Sequence, residues 1–347
     1  MQTTKPHNSA PSALGAGRLR RTGSGIECEP LAALANGKYD IGQCKSVRVK
    51  CVSELGWFDT ARLMDQVKAA GGLETSQWTI PWDPQNAAGS CSLVDLETLQ
   101  GAHHKFLIDA GWGHPYMDEC FRREGIDKML ARGEIEFLYI SHEHMDHFWG
   151  LETVLKHNPQ LPLLIPNTFS SDGLELIKGA EFKTAGVRNR HSHTGQLIVT
   201  QPGYINQLFD GCASVAFDLP IIIRVRGEQS LYFHVKDKGL VCVTGCCHQN
   251  VLTTAKFGQA HIIGGDRMYG IYGGLHISPF GPLNEESEKV VSGLAEFNFK
   301  KLACNHCTGM AAVQKMFELG YPVVKGSKRY GSMSDLYVGN GDEVVFG

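Results

Sequence analysis

One short segment of the chain is dense in side chains that bind metal ions: Ser141-His142-Glu143-His144-Met145-Asp146-His147. Residues two positions apart in an extended backbone point the same way, so His142 and His144 can approach one ion together. Asp146 and His147 follow as the chain turns into a predicted helix, and they can face a second ion beside the first. Imidazole and carboxylate suit zinc, and they also suit iron and manganese.

The segments around this cluster predict how it is positioned. Residues 135–140 are apolar except for Glu136, which predicts a buried strand that stops just before the cluster. Residues 148–155 have helical spacing. Further strands are predicted at 46–52, 92–96, 105–108, 161–165, 221–225, 230–235, 240–244, 261–263, 271–277 and 301–304, and further helices at 284–297 and 310–319. Ligand-type residues that follow strands, in loops at one edge of a rigid sheet, are typical of a functional site.

The composition limits the class of protein. The chain has 347 residues, 42% of them hydrophobic, which is enough for a sizeable core. Charged residues make up 20% and the formal net charge is −3, a balance that argues against a nucleic-acid partner. No apolar run is long enough to span a bilayer, and no signal peptide is recognisable. We therefore expect a cytoplasmic protein with no membrane contact and a small-molecule substrate.

The eleven cysteines and the N-terminal composition add two expectations. Without a secretory signal, a disulfide framework is not expected, and most cysteines are predicted to be small core residues. Residues 1–38 are predicted to be a polar, flexible tail. Residues 39–347 are predicted to be one catalytic domain that contains an insertion at about 57–88.

The cluster resembles a known signature. The spacing His142-x-His144-x-Asp146-His147 is similar to that of the metallo-β-lactamase-fold superfamily. Asp109-Ala110-Gly111, at the end of an earlier predicted strand, resembles the motif in which an aspartate orients a ligand. The resemblance implies an α+β fold, a four-layer αββα sandwich with a site, often of two metals, at the sheet edges.

Three later segments narrow the resemblance. They are Thr244-Gly245-Cys246-Cys247-His248, Gly273-Gly274-Leu275-His276 and Cys304-Asn305-His306-Cys307-Thr308-Gly309. Together they resemble the branch named for dihydropterin–ribofuranosylaminobenzene phosphate synthase. This resemblance implies one metal on His142, His144 and His248, and another on Asp146, His147 and His306. It also implies that His276 is a further ligand or a substrate-facing acid, and that Asp146 can orient a water.

The chain departs from the superfamily at Cys246. Most members have Gly-Asp at this point, and the aspartate bridges both metals, whereas this chain has Gly245-Cys246. Cys246 can ligate as a thiolate or only pack. Two other interpretations of the cysteines stay open, namely a structural zinc site that combines Cys246 and Cys247 with the Cys304-x-x-Cys307 pair, or a redox pair.

Three functions remain possible from the sequence. The first is a hydrolase that uses two divalent metal ions, with zinc preferred and iron or manganese as alternatives, to activate water against a small phosphoester, phosphodiester or lactone. The second is a pterin-type transferase that forms a carbon–nitrogen bond. The third is a non-catalytic metal-binding or sensor protein. The substrate is expected to be phosphorylated, and the oligomeric state is left open.

Overall fold

The computed structural model describes residues 12–22 and 25–347. Its strands are β1 (Gly15–Thr22), β2 (Gly25–Leu31), β3 (Cys44–Ser53), β4 (Cys91–Thr98), β5 (His103–Ile108), β6 (Leu138–Tyr139), β7 (Leu163–Pro166), β8 (Glu181–Phe182), β9 (Val187–Arg188), β10 (Leu197–Thr200), β11 (Tyr204–Phe209), β12 (Cys212–Pro220), β13 (Arg226–Val235), β14 (Gly239–Val243), β15 (Met268–Gly274), β16 (Lys301–Asn305) and β17 (Glu343–Phe346).

The helices are α1 (Thr60–Ala69), α2 (His114–Glu124), α3 (Ile126–Ala131), α4 (Met145–Phe148), α5 (Leu151–Leu155), α6 (Ser171–Ile177), α7 (Val251–His261), α8 (Glu285–Gly293) and α9 (Met310–Glu318). Short 3-10 turns occur at Gln77–Thr79, Ile222–Arg224 and Leu294–Phe297. In the described ranges, no helix is both long enough and apolar enough to cross a bilayer.

Most of the strands form one long sheet that folds over on itself. Its order is β10-β7-β6-β5-β4-β3-β13-β12-β11-β1-β2, and β14, β15 and β16 continue from β13 while β17 pairs with β3. The sheet has two halves, which meet where β3 pairs with β13. The central core contains Val49, Leu96 and Phe106 from the first half and Phe233 and Val241 from the second. The two halves therefore pack face to face.

The outward faces of the two halves are covered by helices. Side chains alternate along a strand, so Leu107 of β5 faces a second core that includes Phe121 of α2 and Leu155 of α5. Cys242 of β14 faces a third core that includes Phe257 of α7. Three cores separate four layers, helix–sheet–sheet–helix. The predicted α+β four-layer αββα sandwich is confirmed.

Local sequence explains where several helices begin. Asp59 precedes α1, and its side chain accepts a hydrogen bond from the backbone N–H of Arg62 at 3.1 Å. Asn284 precedes α8 and forms a reciprocal capping box with Ser287. At the other end of α2, Gly125 adopts a φ of 73°, a left-handed conformation that glycine accepts at little cost.

The N-terminal segment differs in part from the predicted tail. Residues 15–22 and 25–31 form the antiparallel strands β1 and β2, and β1 pairs in parallel with β11 at the edge of the sheet. The hydroxyl of Tyr204 also donates to the Ala16 carbonyl at 2.7 Å. Backbone pairing at an open sheet edge needs little apolar patterning in the added strand, so composition did not reveal it. Residues 1–11 lie outside the described residues, and for them the tail remains a prediction.

Three predicted elements take other forms. Residues 221–225, predicted as a strand, contain a 3-10 turn in which Ile223 has a φ of 51° and donates its N–H to the Leu73 carbonyl at 2.7 Å. Residues 261–263 end α7 and make only an isolated bridge. The predicted helix 148–155 is divided into α4 and α5 at Gly150, where an added Cβ would lie 2.2 Å from the Ala110 carbonyl oxygen. Tertiary contacts override the local apolar pattern at these places.

Candidate metal centre

The loop that carries the histidine cluster is fixed by one buried carboxylate. Asp109 directly follows β5 with a φ of 64°, and its Oδ1 accepts the N–H of Ser141 at 2.7 Å. Its Oδ2 accepts the Ser141 hydroxyl at 2.9 Å and the Nδ1–H of His147 at 2.6 Å. Asp109 therefore orients the loop from behind, in the role that the sequence resemblance implied.

Two groups of ligand-type side chains form on this loop and on two later turns. Triad A is defined here as His142, His144 and His248, and triad B as Asp146, His147 and His306. In each triad, the atoms that can bind a cation lie within 4.8 Å of one another. All six predicted metal-ligand residues are thus brought together, although whether they bind metal is a proposal considered below.

Triad A presents nitrogens that face each other without a proton between them. His142 Nδ1 donates to the Ser141 hydroxyl at 2.9 Å, since that hydroxyl itself donates to Asp109. His144 Nε2 donates to the Ile222 carbonyl at 3.2 Å. The remaining nitrogens, Nε2 of His142 and Nδ1 of His144, are 2.9 Å apart, and in the neutral rings both carry lone pairs.

The pKa values indicate that these rings are neutral at physiological pH. Burial, followed by the nearby His147 and His144 rings, lowers the pKa of His142 well below its usual value. Burial lowers the pKa of His144 to about 4, although Asp146 opposes that shift. Burial and the neighbouring His276 and His144 rings also lower the pKa of His248. Triad A is therefore a set of neutral nitrogen donors.

Triad B is an ion-paired network. The Nε2 of His306 lies 3.3 Å from Asp146 Oδ2 and 3.0 Å from His147 Nε2. Burial opposes charge on His306, but the hydrogen bond with Asp146 outweighs it and raises the pKa of His306 to about 10. Burial likewise opposes charge on Asp146, yet His147 and His306 lower its pKa. Burial lowers the pKa of His147, but Asp146 and Asp109 produce a net increase.

A second buried carboxylate, which the sequence analysis did not identify, holds the turn after β14. Glu228 Oε1 accepts the N–H groups of Cys246 and Cys247 at 2.9 and 2.6 Å. Its Oε2 accepts the N–H and the Nδ1–H of His248 at 2.7 and 2.8 Å. Hence Nε2 is the nitrogen of His248 that can bind an ion. The only sequence signal was a polar run, Glu228-Gln229-Ser230, inside an apolar strand.

The third support lies behind His306. Its Nδ1 donates to the backbone carbonyl of Glu54 at 2.9 Å. The Glu54 side chain is buried, and its two oxygens accept the N–H of Met333 at 2.9 Å and the Tyr337 hydroxyl at 3.2 Å. Burial raises the pKa of Glu54 to about 6. Glu54 and its partners are more than 270 residues apart, so no local pattern could reveal this contact.

Cys246 lies between the triads, whereas two of the other cysteines do not approach them. Its sulfur is 3.1 Å from His147 Nε2 and groups with one histidine of each triad. Cys247 and Cys304 instead belong to the third core, which also includes side chains of α7 and α9. Within the described ranges, no metal-type group contains Cys247 or Cys304, which does not support the four-cysteine zinc site considered from the sequence.

His276 occupies the junction of two cavities above the triads. Its ring is 4.3 Å from that of His248, centroid to centroid. Among the described side chains, none provides a hydrogen-bond partner for its buried Nδ1. His276 has a φ of 47°, so it follows β15 in a left-handed conformation that turns it out of the strand. Its role as a further ligand or as a substrate-facing acid remains a prediction.

The space above the triads is mostly apolar. A small chamber is lined by triad residues and by Trp57, Leu63, Val67, Ile222 and Phe280, among others. A larger cavity of about 540 Å³ adjoins it at His248 and His276, and Asn250, Asn284 and Ser287 are among its polar linings. Within the part of the chain that the structure describes, neither cavity is lined by a lysine or an arginine. This lining offers no support for the expected phosphorylated substrate.

The predicted insertion at about 57–88 forms the roof of the small chamber and holds the loop below it. Gln77 is buried, with its Nε2 donating to the Glu143 carbonyl at 2.8 Å and its Oε1 accepting the Met145 N–H at 3.0 Å. Trp78 Nε1 donates to the Glu143 carboxylate at 3.1 Å. The side chain of Glu143 therefore points away from the triads, and the segment braces the histidine loop.

Glycines allow the loops to approach one another closely. A Cβ on Gly245 would lie 2.1 Å from the Ser141 hydroxyl oxygen, and one on Gly56 would lie 2.6 Å from Asp146 Oδ2. Any side chain at Gly56 would therefore fill the space beside triad B. Gly245 therefore allows the turn after β14 to approach the histidine loop, and Gly56 leaves the space beside Asp146 open.

Comparison with known proteins gives relatives for both sequence and fold. The chain is 25% identical over 215 residues to 7,8-dihydropterin-6-methyl-4-(beta-D-ribofuranosyl)-aminobenzene-5'-phosphate synthase from Methanocaldococcus jannaschii, a match that covers 53% of this chain and 70% of that protein. One similar solved structure is that of Tm1679, which is described as a metal-dependent hydrolase of the beta-lactamase superfamily. The match has a TM-score of 0.53 and 16% identity, and it covers 86% of this chain and 98% of that chain. Zn²⁺-bound PqqB from Methylobacterium extorquens gives a TM-score of 0.46 with 10% identity over 86% of this chain and 99% of that chain. No model of a known protein family matches the chain.

Proposed function

We propose that this chain, which has the metallo-β-lactamase fold, is a hydrolase that holds two divalent cations on triads A and B and acts on an uncharged ester or lactone. The fold rests on the match to Tm1679. The assignment of cations to the triads rests on the donor atoms described above.

One observation carries the proposal: the 2.9 Å separation between His142 Nε2 and His144 Nδ1. Each ring donates its other N–H outward, and both pKa values are lowered. Two lone pairs at this distance repel each other unless a cation lies between them. A tetrahedral zinc ion with nitrogen ligands at 2.0–2.1 Å separates its donors by about 3.3 Å, so a small adjustment seats the ion. Zinc is preferred for this set, and iron or manganese would also be accepted.

The residues around the ions have defined tasks. Divalent cations at this centre would lower the pKa of a water toward about 7 and would polarise the substrate oxygen. Asp146 can accept a hydrogen bond from that water as well as bind. His276 stands over triad A and can donate a hydrogen bond or a proton to the leaving oxygen, because it lines both cavities. Asp109 and Glu228 hold the rings in one orientation.

The cavities favour an uncharged substrate. Trp57 and Phe280 stack with centroids 5.7 Å apart and form an apolar wall of the small chamber. No described lysine or arginine is available there to pair with a phosphate. A phosphodiester or phosphoester would therefore depend on the cations alone for charge compensation, whereas a lactone or carboxylic ester would not.

A pterin-type transferase is the second candidate, and the similarity to the Methanocaldococcus jannaschii protein favours it. The aromatic wall and the larger cavity could accept a planar heterocycle. In this role, the cations would stabilise a diphosphate leaving group while a carbon–nitrogen bond forms. The third possibility, a metal-binding protein without catalysis, is an outcome of the following test.

The test combines elemental analysis with two assays. We expect about two zinc ions per chain and turnover of a lactone or carboxylic ester within a panel that also contains phosphodiesters and phosphomonoesters. His144→Ala should lower kcat/KM by more than about 100-fold, because losing a ligand exceeds the 10–100-fold effect of losing an outer partner. His103→Ala, which changes a half-exposed histidine far from the triads in the sheet, is the control.

Three results would change the proposal. Product from a pterin diphosphate and an aminobenzene riboside, with no turnover on the panel, would establish the transferase instead. Two bound ions without any turnover would favour the non-catalytic protein. Failure to bind any divalent cation would reject all three functions.

A further inference from the structure

We propose that the sulfur of Cys246 is a thiolate ligand shared by the cations of triad A and triad B. This inference rests on the proposed metal centre. It concerns a position at which the sequence departs from the superfamily, and it replaces the expected bridging carboxylate with a soft, singly charged donor.

The location of the sulfur is the first argument. Cys246 Sγ lies 3.1 Å from His147 Nε2 of triad B, and it also belongs to a group with His142 of triad A, in which all donor atoms are within 4.8 Å. The residue is 4% exposed. A donor that reaches one histidine of each triad lies where two neighbouring cations would both be in reach.

Triad B also lacks a fourth donor without the sulfur. Around this triad, Asp146 Oδ2 lies 3.3 Å from His306 Nε2 and 3.7 Å from His147 Nε2, and the two nitrogens are 3.0 Å apart. Tetrahedral zinc with N ligands at 2.0–2.1 Å and S ligands at 2.3 Å has donor separations of about 3.3–3.6 Å. The sulfur lies 3.1 Å from His147 Nε2, and it would become the fourth donor if a bound cation drew it toward Asp146 and His306, with which it does not yet share a group.

The backbone fixes the sulfur at this place. Glu228 accepts the N–H groups of Cys246, Cys247 and His248, so the turn cannot rotate independently of the histidine. Cys247 has a φ of 64°, and its sulfur turns away to lie 3.3 Å from Thr254 Oγ1. One cysteine of the pair therefore faces the triads and the other faces the core.

The remaining nearby thiol is less well placed. Cys307 Sγ donates to the Cys246 carbonyl at 3.5 Å. It groups with Cys246 and His276 but with no member of triad A or triad B. Cys307 is therefore the competing thiol that the experiment must separate from Cys246.

Binding of the sulfur to the cations is a deprotonation followed by coordination. A sulfur–metal bond forms while the thiol proton leaves to solvent, and no electron is transferred. The thiolate and Asp146 then bring two negative charges to two dications. Thiolate is a soft ligand, so the shared sulfur should favour zinc, cobalt or iron over magnesium or calcium.

The test uses the zinc-loaded full chain and needs no variant for its main result. Zinc-edge X-ray absorption should detect a sulfur neighbour at about 2.3 Å on both ions. A terminal thiolate would give sulfur to one ion only and would halve the averaged sulfur count, which would overturn the shared ligand. Absence of sulfur from a protein with two bound zinc ions would overturn ligation while leaving the proposed metal centre intact. Absence of zinc would refute that centre itself.

Cobalt substitution identifies which cysteine is responsible. A near-ultraviolet thiolate-to-cobalt band should grow through both equivalents of Co²⁺ in the wild-type chain. Cys246→Ser should abolish the band and keep the visible bands of bound cobalt. Cys247→Ser is the matched control, because it changes the adjacent thiol that faces the core. A band that survives in Cys246→Ser but disappears in Cys307→Ser would overturn the assignment.

Discussion

Triads A and B lie side by side, yet they meet a cation in different states of protonation. Triad A offers three imidazoles with lowered pKa values, among them His144 at about 4. Triad B contains His306 with a pKa of about 10, held by the carboxylate of Asp146. The comparison teaches that burial of histidines alone favours neutral donors, whereas one buried carboxylate among them retains a proton that a cation must displace.

The supports behind the two triads differ as well. Asp109 serves both, through Ser141 and His142 on one side and directly through His147 on the other. Glu228 serves His248 alone among the triad residues. Changing one or the other carboxylate should therefore lower the affinity for both ions or for only one of them.

The largest effect is expected from changes in these two carboxylates. Asp109→Asn should lower the affinity for each ion by about 10–100-fold. With an NH2 group in place of Oδ2, the side chain can no longer accept from the Ser141 hydroxyl and from His147 Nδ1. Glu228→Gln should lower the affinity of triad A by a similar factor and that of triad B much less. The amide oxygen can still accept from the Cys246 and Cys247 N–H groups, whereas the amide NH2 in place of Oε2 cannot accept from His248. Competition with a metal chelator, followed by elemental analysis, measures both affinities.

A matched control is available in the same loop. Glu143 is also buried, but its carboxylate accepts Trp78 Nε1 and the Ser170 N–H rather than a triad residue. Glu143→Gln should leave both affinities within about threefold of wild type, since the change removes no partner of a ligand. Equal losses at both ions in Glu228→Gln would show that the two triads do not have separate supports.

An intermediate effect is expected from pH. In the metal-free chain, His306 keeps its proton up to a pH of about 10, so an ion that enters triad B must displace that proton. Its affinity should rise at least about tenfold per pH unit between pH 6 and pH 8. The triad A histidines have already lost their protons well below this range, so in the Cys246→Ser chain, where no thiol proton is displaced, the affinity of triad A should be nearly constant. Zinc competition titrations at three pH values would measure both slopes.

The direction in which the affinity of triad B changes with pH tests the contrast between the triads. Affinity at triad B should fall as the pH decreases, because protons and cations compete for His306. Parallel slopes at the two ions would mean that Asp146 does not retain the proton on His306, and the contrast between the triads would then be lost.

The smallest effect is expected from Trp57, which packs against His306 of triad B. Its ring lies edge-on to His306, with centroids 6.3 Å apart. Trp57→Leu should weaken the ion on triad B by at most about tenfold, the equivalent of an aromatic pair of 0.5–1.5 kcal/mol, and leave triad A unchanged. Phe58→Leu, at a residue 56% exposed, is the control. A change in the affinity of triad A would contradict the separation of the two environments.

The sequence predicted those parts of the molecule that depend on short-range patterns. The i, i+2 spacing placed His142 and His144 together, and positions after strands placed His248 and His306 at the same sheet edge. Most strands were also predicted, because burial on both faces gives continuous apolar runs. Helices α2, α3, α6 and α7 were not predicted, and the edge hairpin β1–β2 was assigned to a tail.

Asp109 was predicted from the resemblance, but the supports Glu228 and Glu54 could not be predicted, because each depends on contacts distant in sequence. Glu228 lies 20 residues before His248, and the carbonyl of Glu54 lies 252 residues before His306. Glu228 did leave a trace, since a charged residue inside an apolar strand is costly unless it is fully hydrogen-bonded. The 3-10 turn at Ile222–Arg224 left none, because its apolar residues match a strand and only the contact with Leu73 reveals the turn.

The bracing of the histidine loop by Gln77 has a consequence for engineering. Its amide spans the Glu143 carbonyl and the Met145 N–H, so the roof and the floor of the chamber share one hydrogen-bonded unit. Shortening residues 57–88 to admit bulkier molecules would therefore also release the peptide that presents His144. Access is better widened by trimming side chains such as Leu63 or Val67, which border the chamber and have no polar atom to hydrogen-bond that peptide.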